Sequence, residues 1–150
     1  MKYCGTLIAV SDMARAKNFY EKVMEQKVIM DLGVHVAFEN GLALQSNYEE
    51  LVGVKLAARP RPDNFQLYFE VEDLDLWEAR LTSAEGIEFI HGSREYPWGQ
   101  RVMRFYDHDK YIVEVSESMV SVAKRFLAQG LSVEETARRT MFPAEFLKQL

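Results

Sequence analysis

The sequence predicts an α+β protein made of two βαβββ units and a C-terminal helical extension. Two observations carry this expectation. Val10-Ser11-Asp12-Met13 and Val71-Glu72-Asp73-Leu74 repeat one pattern: valine, any residue, aspartate, apolar residue. Asn40-Gly41 before LALQ (42–45) is matched by Asp109-Lys110 before YIVE (111–114). An internal repeat decides the architecture before any single element does.

The elements follow in chain order. CGTLIAV (4–10) is a strand candidate, and Asp12 is an N-cap for MARAKNFYEKVM (13–24), whose apolar residues recur at helical spacing. KVIMDLG (27–33) and VHVAFEN (34–40) fit two further strands, and LALQ completes the first unit. ARPRPDN (58–64), with two of the four prolines, reads as a linker. FQLYFEV (65–71) is the next strand, Asp73 caps a helix over LDLWEARLTSA (74–84), and IEFIHG (87–92), QRVMRFY (100–106) and the strand containing YIVE close the second unit. The expected boundaries are therefore 1–57, a linker at 58–64, and 65–117. Aligning the repeats sets Gly5 against Gln66 and Gln45 against Glu114.

One such unit leaves a curved sheet with one face open, and two can close their open faces around a cavity. Side chains alternate along a strand. Leu67, Phe69 and Val71 form a helix-packing face, whereas Gln66, Tyr68 and Glu70 are polar enough to line a cavity. The same alternation sets Glu114 opposite Val113 and Val115, on the cavity side.

Composition bounds the function. A formal net charge of −5 argues against a general nucleic-acid binder, which needs a basic face. The one cysteine, Cys4, cannot form an internal disulfide, and with no signal peptide visible a cytoplasmic location is expected. No apolar run approaches the roughly 20 residues of a membrane span. Catalytic serine or cysteine patterns, phosphate-binding glycine loops and dinucleotide fingerprints are all missing from the sequence.

AVSDMARAKNFYEKV, PWGQR (97–101) and DHDKYIVEV (107–115) together resemble the vicinal oxygen chelate superfamily, which includes glyoxalase I, bleomycin- and fosfomycin-resistance proteins and extradiol dioxygenases. The likeness covers roughly residues 2–117. It implies a glyoxalase-like sheet around a cavity and homodimerisation. In metal-using members four strand positions supply ligands; carried over, they are Gly5, Gln45, Gln66 and Glu114. Glu114 and Gln66 keep types that such members use, Gln45 replaces a carboxylate, and Gly5 has no side chain. Zinc and nickel sites are built from imidazole, thiolate or carboxylate, so this set points to a degenerate site. No cofactor is then expected, although a divalent metal held by Glu114 and Gln66 stays open.

The first functional expectation is a cytosolic protein of the glyoxalase/bleomycin-resistance type. It would hold a small organic molecule near Gln45, Gln66, Tyr68, Trp98 and Arg101, with Glu114 as the proton-transfer group if it is an enzyme. An aromatic face and a guanidinium suit an anionic or aromatic ligand. The alternative is a metal-dependent lyase, isomerase or dioxygenase. His35 and His91 could each supply an imidazole if they point into the cavity. A third reading, a ligand-responsive regulator, comes from residues 118–150, where three short helices fit and GLSVEETARRT resembles the start of a helix-turn-helix. Position 141, where a glycine is usual, is Met. The near balance of charge there makes DNA an unexpected partner and favours a docked helical appendage.

Overall fold

The computed structural model describes residues 1–57 and 60–150. Positions 58 and 59, the first two of the expected linker, lie outside the described residues. The chain divides into two compact units, Met1–Pro62 with His108–Tyr111, and Asp63–Asp107 with Ile112–Leu150. Each contains the expected βαβββ order.

In the first unit, β1 (Thr6–Ala9) leads into α1 (Met13–Asn18), followed by β2 (Val28–Asp31), β3 (His35–Phe38), β4 (Leu42–Gln45) and α2 (Tyr48–Val52). Asp12 caps α1 as expected, its Oδ1 accepting from Arg15 N at 3.0 Å. The expected continuous helix over 13–24 instead widens into a π-helical turn at Phe19–Val23, where Met24 N reaches Phe19 O at 2.9 Å. Phe19, Tyr20 and Met24 are all buried there. The sheet runs β1-β4-β3-β2 with β1 parallel to β4, as a crossover helix requires. Helix α2 is an element the sequence reading did not contain; Asn47 before it and Gly53 after it both take left-handed backbone.

The second unit repeats the plan with β5 (Gln66–Val71), α3 (Leu74–Thr82), β6 (Glu88–Glu95), β7 (Arg101–Tyr106) and β8 (Ile112–Glu117), in the order β5-β8-β7-β6. Asp73 Oδ1 caps α3 through Leu76 N at 3.0 Å. Leu67, Met103, Phe105, Val113 and Val115 are buried on the face that α3 packs against.

Three C-terminal helices belong to this second unit: α4 (Met119–Ala128), α5 (Val133–Thr140) and α6 (Ala144–Leu147). Ser132 and Glu135 form the expected capping box. Met141 adopts the left-handed turn after α5 (φ 61°) that a glycine would adopt more easily, and α6 is a single turn. Phe126 of α4 is buried and lies so close to Gly99 that a Cβ there would meet its ring at 2.1 Å. Gly99 is therefore required by the docking of α4.

Candidate functional site

The β8 strand reads IVEVSE, and its alternation sends Glu114 and Glu117 to opposite faces. Glu114 pairs in register with Tyr68 on β5 and Arg104 on β7, and Arg104 with His91 on β6. Tyr68, Glu114, Arg104 and His91 thus form one polar row across the sheet, on the face away from α3.

The Glu114 side chain, 6% exposed as a residue, is held from three sides. Gln66 Nε2 donates to its Oε2 at 2.9 Å, Arg104 Nη2 donates to the same oxygen, and Ser116 Oγ donates to Oε1 at 3.0 Å. A carboxylate inside an apolar strand is stable here because it is paired with a cation and hydrogen-bonded. Arg104 also donates from Nε to Gln66 Oε1 at 3.2 Å, and from Nη1 to the Tyr96 hydroxyl and to His91 Nε2 at 3.3 Å. His91 Nδ1 lies 2.8 Å from the Gly92 carbonyl. That carbonyl takes the Nδ1 proton and leaves Nε2 to accept from Arg104.

The turn between β6 and β7 adds an aromatic shelf. Tyr96 and Trp98 lie with ring centroids 4.8 Å apart, and Trp98 Nε1 donates to Gln100 Oε1 at 3.0 Å. Gln100 Nε2 reaches the Tyr68 hydroxyl at 3.4 Å, tying the shelf to the polar row. Tyr68 is 51% exposed and Trp98 46%. Arg94 lies over the Tyr96 ring at 5.2 Å and donates to its hydroxyl at 2.8 Å. Among the described residues no carboxylate partners Arg94. The hydrogen bond from Arg94 lowers the Tyr96 phenol below its ordinary value, with the Arg104 charge adding to it. Burial, then the hydrogen bond to Glu70, pushes Tyr68 up to about 12. These two phenols are therefore electrostatically distinct.

The structure brings Gln66, Tyr68 and Glu114 to one face of this sheet and Trp98 to its border. It does not bring Arg101 there. Arg101 alternates with Arg104's neighbours onto the helix-covered face, where it pairs with Glu117 (3.4 Å) and Asp75 (2.9 Å). Arg125 of α4 joins the same carboxylate at 3.0 Å. Arg101 thus lies off the polar row where a ligand contact was expected of it: the side chain ties β7 to α3.

Gln45 and Gly5 lie in the first unit. Gln45 Oε1 is 3.0 Å from His35 Nδ1, and its Nε2 donates to Ser46 O at 2.7 Å. His35 therefore shares a face with Gln45. Gly5 precedes β1 in left-handed backbone (φ 145°), and a Cβ there would meet Gly41 O at 2.0 Å. The parallel pair explains its position. Leu7 pairs with Ala43 and Ala9 with Gln45, whereas Gln66 pairs with Ile112 and Tyr68 with Glu114. Relative to its central strand, the place of Gln66 is taken in the first unit by Leu7, not Gly5. The repeat alignment missed this slip of two residues, which preserves the facing of every side chain.

Four contributors escaped sequence reasoning: Arg104, Tyr96, Arg94 and Ser116. Arg104 carried a signal, since it stands mid-strand between Met103 and Phe105 and so needs a carboxylate across the sheet.

A family model for the glyoxalase-like domain matches residues 3–120. The chain belongs to that family. This glyoxalase-like protein is also similar to a crystal structure of a protein of unknown function from Agrobacterium tumefaciens str. C58, at 34% identity and TM-score 0.71, covering 79% of this chain and 94% of that one. It resembles in fold a glyoxalase-related enzyme from Fulvimarina pelagi (21% identity, TM-score 0.64, 78% and 88% covered). A lactoylglutathione lyase from Agrobacterium tumefaciens is a further fold neighbour (23%, TM-score 0.61, 79% and 95%). No curated protein matches. These findings place the chain in the vicinal oxygen chelate superfamily, some of whose members use a metal. Here the donor set does not fit one. Among the described residues no three His, Cys, Asp or Glu side chains gather closely enough to hold an ion. The oxygens that Glu114 and Gln66 would offer both accept from Arg104. No helix among the described residues is long and apolar enough to cross a membrane.

Proposed function

We propose that this glyoxalase-like protein binds a small, planar organic acid on the open face of the second sheet. The observation that carries the reading is the Tyr96–Trp98 shelf beside Arg94, a guanidinium with no carboxylate partner among the described residues. A planar group stacks on the exposed indole, and an acidic group pairs with the guanidinium. Tyr68 and Gln66 supply polar contacts along the row. Glu114 serves as the anchor that orients Gln66 and Arg104, since both of its oxygens already accept hydrogen bonds. We also read the chain as a homodimer. Ile29, Met30, Leu32 and Val34 are exposed apolar residues of one segment in the first unit, which supports that reading; light scattering on the eluting protein tests it.

The ligand test uses tryptophan fluorescence with a panel of substituted benzoates. The chain has two tryptophans, Trp77 in α3 and Trp98 in the turn. Binding quenches the wild type, and Trp98→Phe abolishes the response while Trp77→Phe keeps it. A quench that survives Trp98→Phe unchanged, or a panel that leaves the wild type unaffected, rejects the reading.

A further inference from the structure

The two side chains that the superfamily likeness marks as metal ligands in this unit, Glu114 and Gln66, are bound by one guanidinium. Arg104 Nη2 donates to Glu114 Oε2, Nε donates to Gln66 Oε1 at 3.2 Å, and Gln66 Nε2 closes the ring onto Glu114 Oε2 at 2.9 Å. An ion bridging Glu114 Oε2 and Gln66 Oε1 would need the space this guanidinium fills, and would sit against its charge. The rest of the group is also positioned. Tyr96 and His91 take the Nη1 side, and Arg104 lies 5.4 Å from the Tyr96 ring centroid.

We infer that Arg104 stands in the place of the metal: it is the resident cation of the site and keeps divalent ions out. A guanidinium has five N–H donors and stays charged at any physiological pH. Four donors are engaged by Gln66, Glu114, Tyr96 and His91. One Nη2 hydrogen remains to meet an oxygen of the ligand, and this last part alone rests on the ligand reading above. Such a cation can bind and polarise a carbonyl or carboxylate oxygen. It cannot lower the pKa of a bound water as a metal does, so the site is suited to holding an oxyanion rather than to making a hydroxide.

Among the described residues the first unit carries no such cation at Gln45. There the residue in register with Gln45 is His35, an imidazole that carries no comparable fork, and no group of possible metal ligands forms among the described residues either. The exclusion is thus attributed to Arg104 at one site only.

The experiment is a thermal-melt titration of EDTA-stripped protein with zinc, nickel, manganese and iron(II). Wild type and Arg104→Lys should not respond. Arg104→His removes the fork and sets a second imidazole beside His91 and Glu114, so its melting temperature should rise by several degrees with zinc or nickel. That rise should vanish in the Arg104→His/Glu114→Gln pair. A wild-type rise that is lost in Glu114→Gln overturns the inference, as does a folded Arg104→His that ignores every ion. If Arg104→His does not fold by near-ultraviolet circular dichroism, Arg104→Ala is titrated in its place under the same two criteria. Failure of the ligand reading shows separately, as a silent fluorescence panel with the metal result intact.

Discussion

In the first unit the central strand β4 ends on Gln45, whose amide faces an imidazole; in the second, β8 carries Glu114 against one guanidinium on one face and Glu117 against two on the other. The strand order is the same in both sheets. The difference teaches that this fold tolerates a neutral or a charged central strand, provided the neighbouring strand supplies the matching group. His35 and Arg104 fill that role at equivalent places, each in register with its partner on the central strand. The charged version is more demanding. A neutral amide left without its partner loses one hydrogen bond, whereas a buried carboxylate left without its cation loses the reason it can be buried.

The largest expected effect is therefore at Glu117, which is 3% exposed and shared by Arg101 and Arg125. Glu117→Ala should destabilise the protein by about 3–5 kcal/mol in urea melts, the range for breaking a buried pair. Its titration has a definite sign. Burial pushes the carboxyl up, but hydrogen bonds from Arg125 and Arg101 outweigh burial, and the net value lies below the ordinary 4.5. The folded value being the lower one, this stability is fully present above about pH 4.5 and drains away as pH falls through the folded value. Stability of Glu117→Gln should fall less steeply in that acid window than wild type; equal slopes would deny the pairing.

Glu114→Ala and Gln45→Ala put the same comparison on the open faces. The first strands the Arg104 guanidinium, which keeps some contact with water, and should cost about 3 kcal/mol, the low end for a broken buried pair. The second removes two hydrogen bonds of an uncharged amide, to His35 and to Ser46 O, and should cost about 1–2 kcal/mol. Equal losses would mean that charge is not what separates the two sheets. Also below Glu114→Ala is Gly5→Ala, at about 2 kcal/mol, because the left-handed backbone and the contact with Gly41 O can be relieved in part by fraying the start of β1. Gln66→Ala, on an extended strand, should show no such backbone penalty.

Much of this was legible in the sequence. The repeated aspartate caps announced both helices, because a cap is a local signal: one side chain bonding a backbone N–H three residues on. Alternation in FQLYFEV and IVEVSE assigned Gln66, Tyr68 and Glu114 to one face, since the period of a strand is independent of its partners. Register is different. Sliding β1 along β4 by two residues leaves every side chain on its own face, so nothing in the pattern records it, and Gly5 was matched to Gln66 on sequence alone. Arg101 was misplaced for a related reason. It starts β7 next to the turn that holds Trp98, and only counting outward from Arg104 shows that an odd separation turns it to the helix side. The π-helical turn at Phe19–Val23 likewise has no signature in a run whose apolar spacing suits an α-helix.

The smallest effect sharpens the comparison without touching stability. Tyr68 and Tyr96 border the same row, yet one phenol is pushed up to about 12 by burial and Glu70 while the other is lowered by Arg94 and Arg104. In an ultraviolet difference titration the early step lost in Tyr96→Phe should therefore precede the late step lost in Tyr68→Phe. Arg94→Gln should move the early step upward and leave the late one in place, because the Tyr68 shift has its causes in burial and Glu70. If Arg94→Gln leaves the early step unmoved, the guanidinium is not directed at Tyr96, and the cationic corner assigned to the ligand's acidic group loses its support.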